Sequence, residues 1–241
     1  MCGRYTLKTS PAKILQQLAN FPVSSGQTIL SRIQPRYNIA PNQRVLVIRG
    51  ASLEGESQYA AIKSVEFAEM HWGRPVANRQ LVINTRLENL EEKACAQTPP
   101  KLTIRPCLII ADGYYEWKNK AGSRIPYYLH RKDHHLLLFS GTWQTVSDPK
   151  TTTRDCCTIL TCPASRSLDH IHNRMPLFTD PMNGMDWLLD SSALQRCRGL
   201  LKSCSIDILQ THSVHTRVNN VDFEGPSCIE RAAFHRQNLL F

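Results

Sequence analysis

"CLIIADGYYEW" (residues 107–117) is dense in β-branched and aromatic side chains and reads as a strand. Working outward, "PYYLH" (126–130), "HLLLFSGTW" (135–143) and "CCTILTC" (156–162) follow with the same character, and "RVLVI" (44–48) and "LVIN" (81–84) precede it. Each run is short and bounded by Gly, Pro, Asn or Asp, as strands are. Helical spacing shows in three places. Ser10-Pro11 opens "AKILQQLANF", with Ile14, Leu15, Leu18 and Phe21 recurring at helical intervals; "LENLEEKACAQ" (87–97) carries a second pattern; and residues 180–204 carry a third, broken near Asp190-Ser191-Ser192 into two helices. "SDPKTTTRD" (147–155) reads as a polar loop. Strands dominate and no regular βαβ alternation runs along the chain. The expected architecture is therefore α+β, with a mostly antiparallel, barrel-like β core flanked by helices.

The chain has 241 residues, which suits one domain with a sizeable core. We expect that domain to cover residues 1–230, with 231–241 as a basic and apolar tail. No stretch approaches the roughly 20 apolar residues of a membrane span, and no basic region followed by an apolar run opens the chain, so an intracellular protein is expected. Its nine cysteines are odd in number and irregularly spaced. They read as reduced thiols, most of them small buried hydrophobes, without a Cys-x-x-Cys or paired Cys/His block to hold a metal. Lys and Arg total 29 against 20 acidic residues, a net charge of +9. That surplus favours a polyanionic partner.

Four separated stretches hold polar residues that an ordinary core does not need: "MCGRY" (1–5), "RYNIAPNQ" (36–43), "INTRLE" (83–88) with "ADGYYEWK" (111–118), and "HIHNRMP" (170–176). Removal of Met1 would leave Cys2 with a thiol and a free α-amine on one residue. With reference pKa values of about 8.5 and roughly 7.7–8.0, a useful fraction of each is then nucleophilic near neutrality. Asn84 and Arg86 alternate onto one face of a strand end, where the carboxamide can orient a nucleophile and the guanidinium can grip a phosphate; a capping Asn and a solvated Arg fit the same spacing. Glu116 lies between Tyr115 and Trp117, which would desolvate its carboxyl and raise its pKa toward that of a general acid, unless it points to water. His172, with His170 as competitor, is a candidate proton donor.

In order along the chain, "MCGRY", "RYNIAP", "WG" (72–73), "INTRLE", "ADGYYEWK", "HNRMP" and "VNNVDFEGPSCIE" resemble the SOS response-associated peptidase family of abasic-site processing proteins, over residues 2 to about 230. Thr85 and Asn173 stand where the family pattern has alanine and aspartate. The resemblance implies that Cys2, once Met1 is removed, captures the aldehyde of an abasic deoxyribose in single-stranded DNA. The expected product is a thiazolidine crosslink. It implies that Glu116 is the acid/base, that His172 hydrogen-bonds the opened sugar, and that Asn84 positions Cys2. It further implies a phosphate contact at Arg86, backbone or pocket contacts at Arg4, Asn38 and Arg174, and an apolar wedge for bases at Pro41 and Trp72. No cofactor or metal is expected, and the protein is expected to act as a monomer.

Other classes share some of these features. Class II glutamine amidotransferases also begin "MCG" and use the terminal amine as a base, but continue with an aliphatic residue and lack "HNRMP". A Cys/His/Asn peptidase could draw on Cys2, His172 and Asn84, and a non-catalytic DNA-binding module would need only the charge.

Overall fold

The computed structural model describes residues 2–51, 63–76, 80–95, 104–120, 122–148, 151–189 and 206–232. Its first strands are β1 (Arg4–Leu7), β2 (Val23–Ser25), β3 (Arg36–Ile39), β4 (Arg44–Gly50) and β5 (Val65–Trp72). Short strands β6 (Arg74–Pro75), β7 (Leu81–Val82) and β8 (Asn84–Arg86) follow. The long ones come next: β9 (Arg105–Ala111), β10 (Gly113–Lys120), β11 (Ser123–Arg131), β12 (Leu137–Asp148) and β13 (Thr151–Pro163). The last are β14 (Arg174–Pro176), β15 (Phe178–Thr179) and β16 (Leu209–Ser213). The α-helices are α1 (Pro11–Gln17), α2 (Gln27–Ser31), α3 (Leu87–Cys95) and α4 (Pro181–Leu189).

β13, β12, β9, β4 and β5 pair in that order, antiparallel throughout. β5 then pairs in parallel with β13, His71 opposite Cys156 and Trp72 opposite Cys157, which closes a five-stranded barrel. Closure leaves no exposed ladder edge around the ring and accounts for strands such as β9 that are apolar on both faces. Ile109, Phe139, Ile159 and Trp72 are among its fully buried side chains. A second, five-stranded sheet runs β16-β11-β10-β1-β3. Together they give the α+β, mostly antiparallel, barrel-like body expected from the strand pattern.

Four sequence expectations need correction or completion. First, 107–117 is two strands. At Asp112 the chain leaves the barrel: its N–H donates to Thr6 O at 2.8 Å, and its carboxylate accepts from Thr9 N–H at 3.1 Å and from Lys8 N–H. The chain then pairs with β1, and Gly113 allows this because a Cβ there would sit 2.5 Å from Leu129 O. Second, "LVIN" splits at Ile83, with β7 pairing to β6 and β8 running parallel to β13. Third, "SDPKTTTRD" is mostly ladder: β12 and β13 pair at Val146–Arg154 and, past a register shift, at Asp148–Thr151. Fourth, α1 buries Ile14 but leaves Leu15 42% exposed, and Ser10 caps it without a side-chain bond. Of the 180–204 pattern, α4 is observed, and 190–205 lies outside the described residues, as does the tail from 233. The cysteines described are free thiols at positions 2, 107, 156, 157, 162 and 228, all buried except Cys162, which is half-buried. Among the described residues no helix is long and apolar enough to cross a membrane.

Candidate active site and nucleic-acid interface

The β1–β10 register pairs Arg4 with Tyr115 and Tyr5 with Tyr114. Continued by one residue, it sets Gly3 opposite Glu116, so the amino end and the carboxyl meet at the same margin. From the barrel side, β8 pairs with β13 at Ile159–Asn84, and the Asn84 Nδ2 donates to Cys2 O at 2.8 Å. Asn84 Oδ1 is buried and has no hydrogen-bond partner among the described residues. His172 enters just before β14, which pairs with the end of β13 at Pro163–Arg174. His172 Nδ1 lies 3.0 Å from the Arg174 N–H and 3.2 Å from the Arg174 carbonyl oxygen, so the ring is anchored to the Arg174 backbone through that nitrogen. Asn84 is thus bonded to Cys2, and the continued register brings Glu116 to the same end of the sheet.

Burial sets the electrostatics. The Glu116 carboxyl is only 4% exposed, and desolvation raises it to about 7, against the opposing pull of the positive amino terminus and of Arg124. His172 is pushed below its ordinary value, first by burial and then by the same amino terminus. The Cys2 side chain is fully buried, and burial together with the Glu116 charge drives its thiol far above the ordinary range. Burial thus opposes ionisation of the thiol, against the useful thiolate fraction that the reference values suggest for the trimmed chain. Glu116 acts on the Cys2 thiol, and the charge of the amino terminus acts on Cys2, Glu116 and His172.

The residues expected to touch nucleic acid divide sharply. Arg86 is exposed on the face of β8 that carries Asn84, and Pro41 is half-buried in the turn after β3. Trp72 and Asn38, by contrast, are 0% exposed. A fully enclosed indole cannot stack on a base, and the Asn38 amide is spent on Val218 O, Asn220 O and Phe223 O, because packing of the 216–223 segment claims it. Arg4 makes the same clasp, donating to Asn38 Oδ1 at 2.7 Å and Val218 O at 2.8 Å. Arg174 forms a two-pronged pair with Glu88 at 3.1 and 3.0 Å and donates to Thr161 O at 2.6 Å, which ties α3 to β13. Arg4, Asn38, Trp72 and Arg174 are therefore framework in this structure.

One residue at the site escaped the sequence reading. Arg124, exposed on β11 opposite Asn119, carries its guanidinium 5.8 Å from the Trp117 ring and acts on both Glu116 and His172. The only signal was one more residue pair toward the turn of the β10–β11 hairpin, beyond the "PYYLH" core. A cavity of about 280 Å3 lined by Lys8, Asp112, Tyr128, His130, His134 and His212 includes none of Cys2, Asn84, Glu116 and His172. Among the described residues no group of three or more His, Cys, Asp or Glu is arranged to hold a metal ion.

The chain is similar to known proteins over most of its length. The abasic site processing protein YoqW of Bacillus subtilis is 29% identical over 243 residues, covering 95% of this chain and 99% of its own. The protein HMCES of Gallus gallus, also named an abasic site processing protein, is 24% identical, covering 86% of this chain and 64% of its own. A crystal structure of a protein from Bacteroides thetaiotaomicron superposes with a TM-score of 0.70 at 18% identity, over 96% of this chain and 100% of that one, which shows a shared fold. The family model described as SOS response associated peptidase (SRAP) matches residues 1–221. With that match spanning the barrel, the second sheet and Cys2, Asn84, Glu116 and His172, the chain belongs to the SRAP family.

Proposed function

We propose that this protein senses abasic sites in single-stranded DNA and shields them as a covalent thiazolidine at Cys2, within the DNA damage response. The observation that carries the reading is the hydrogen bond of Asn84 to the carbonyl of Cys2, the second residue, with the buried Glu116 carboxyl acting on the Cys2 thiol. Relatives named abasic site processing proteins support the substrate class. Removal of Met1, by the chain's own Cys2 or by an aminopeptidase, frees the amine; we extend peptidase chemistry no further than this step. An amidotransferase reading draws on no observation beyond the shared "MCG".

The chemistry follows from the protonation states. Glu116, half-protonated near neutrality, gives its proton to the ring oxygen and takes the C1′ hydroxyl proton in return as the deoxyribose opens to the aldehyde. The Cys2 amine attacks the aldehyde carbon, the carbinolamine loses water with a proton again from Glu116, and a protonated Schiff base remains. Glu116, now ionised, takes the proton of the buried thiol, and the sulfur attacks the iminium carbon. One C–N and one C–S bond form, one water leaves, and the five-membered ring closes. His172, anchored to the Arg174 backbone through Nδ1, hydrogen-bonds the opened sugar. Asn84 holds the Cys2 carbonyl and so the direction of the amine. Arg86 and the Pro41 turn face the strand on either side of the lesion.

The test is incubation of the mature protein with single-stranded DNA carrying one abasic site, followed by denaturing electrophoresis. The wild type should give a denaturation-resistant complex, and Cys2→Ala should bind the same DNA but give none. A stable complex from Cys2→Ala would refute the proposal.

A further inference from the structure

We infer that Trp72 is a positioning residue for this reaction: its indole N–H fixes the peptide that presents Asn84 to Cys2. The inference rests on the function proposed above. Ile83 belongs to neither β7 nor β8 and marks the kink between them. Its carbonyl accepts two bonds, from Trp72 Nε1 at 3.0 Å and from Ile159 N–H at 3.0 Å. The carbonyl so clamped belongs to the peptide whose nitrogen is Asn84's own. Asn84 needs this clamp, because β8 is three residues long and the Asn84 Oδ1 has no partner among the described residues; the side chain is held by the single bond from Nδ2 to Cys2 O.

The same indole braces the other half of the site. Tyr5, on the strand that follows Cys2, meets the Trp72 ring edge-on with centroids 5.2 Å apart. The Trp72 backbone is itself pinned to the turn after β3, donating to Gln43 O at 2.9 Å and accepting from Asn42 N–H at 2.7 Å. Trp72 therefore links the segment carrying Cys2 to the segment carrying Asn84 from inside the barrel, without reaching the surface. Its expected effect is on the rate of adduct formation and not on DNA affinity.

The experiment uses Trp72→Phe, which keeps an aromatic ring and removes the N–H, beside Trp187→Phe as a matched control. Trp187 is equally buried and also donates to carbonyls, of Cys107 and Gly141 at 3.2 Å each, but from α4 and to none of the site residues. Two quantities are read: the single-turnover rate constant of adduct formation with abasic single-stranded DNA, and the Kd for the same oligonucleotide with a tetrahydrofuran spacer, which has no aldehyde. Trp72→Phe should lower the rate constant about tenfold, the scale of one lost buried hydrogen bond, with Kd within about twofold. Trp187→Phe should leave both within about twofold. An unchanged rate for Trp72→Phe overturns the inference, as does a parallel loss of rate and affinity or an equal rate loss in Trp187→Phe. Should Trp72→Phe fail to fold, benzothienylalanine at position 72, with sulfur in place of N–H in the same ring shape, makes the comparison. A wild type that forms no adduct refutes the function itself, whereas a reactive wild type with an unaffected variant refutes only the role of Trp72.

Discussion

Replacing Glu116 by Gln should make this protein more stable in alkali while nearly abolishing its chemistry. The carboxyl is raised from 4.5 to about 7 by burial. Its folded-state pKa thus lies above the unfolded one, so the native state holds the proton more tightly. The resulting stabilisation is complete below about pH 4.5 and drains away as the pH rises through about 7. At 1.36 kcal/mol per unit, ionising this buried group by pH 8 costs the fold about 3 kcal/mol. Glutamine has the same shape and never ionises, so Glu116→Gln should exceed the wild type in stability by up to about 3 kcal/mol at pH 8, and by much less at pH 5. Urea unfolding at the two pH values reads the difference. Single-turnover adduct formation should meanwhile fall by about 10²–10⁴, the usual worth of a positioned acid/base, with little change in DNA binding. A stability difference that does not depend on pH would refute the buried-carboxyl argument. Equal losses of rate and affinity would refute the acid/base role.

Further outcomes follow from the same geometry. The wild-type rate of adduct formation should fall above about pH 7, as Glu116 loses the proton it must donate; Arg124→Ala removes a cation that favours the ionised carboxyl and should move that limb to higher pH. Arg86→Ala should weaken binding to single-stranded DNA and reduce the slope of log K against log salt by about 0.7, the single-strand value for one phosphate; an unchanged slope removes Arg86 from the backbone contacts. Arg174→Lys breaks the two-pronged pair with Glu88 and should cost about 1 kcal/mol in urea unfolding while leaving the salt slope unchanged. A reduced slope would return Arg174 to the DNA surface.

Local sequence carries the strands well, because β-branched and aromatic runs are the direct cause of the pleat. It does not carry the points where a strand changes partner. Asp112 looks like one polar residue inside an apolar run, yet its carboxylate caps Lys8 and Thr9, an arrangement that exists only once β1 has arrived. Chemistry suggests the residue types, and in the fold Asn84 bonds to the Cys2 carbonyl and the Glu116 carboxyl is buried, while their catalytic roles belong to the proposed function. What escaped was the distinction between a side chain that serves a ligand and one that serves the fold. Arg4, Asn38 and Arg174 have the polarity of a DNA contact, but their partners are carbonyls and carboxylates more than ten residues away in sequence. Trp72 has the surface of a stacking platform, and only barrel closure between β5 and β13 encloses it. The state of the Cys2 thiol escaped for the same reason, since its desolvation is a tertiary effect.

Intact mass spectrometry of the complex formed with abasic single-stranded DNA, without any reductant, bears most directly on whether the amine and sulfur of Cys2 close on one sugar carbon. The expected species has the mass of the chain lacking Met1 plus the DNA minus one water, with Cys2 no longer alkylated by iodoacetamide and with no need of borohydride to survive denaturation. An adduct that appears only after borohydride trapping, leaves Cys2 open to alkylation, or retains Met1 would contradict it.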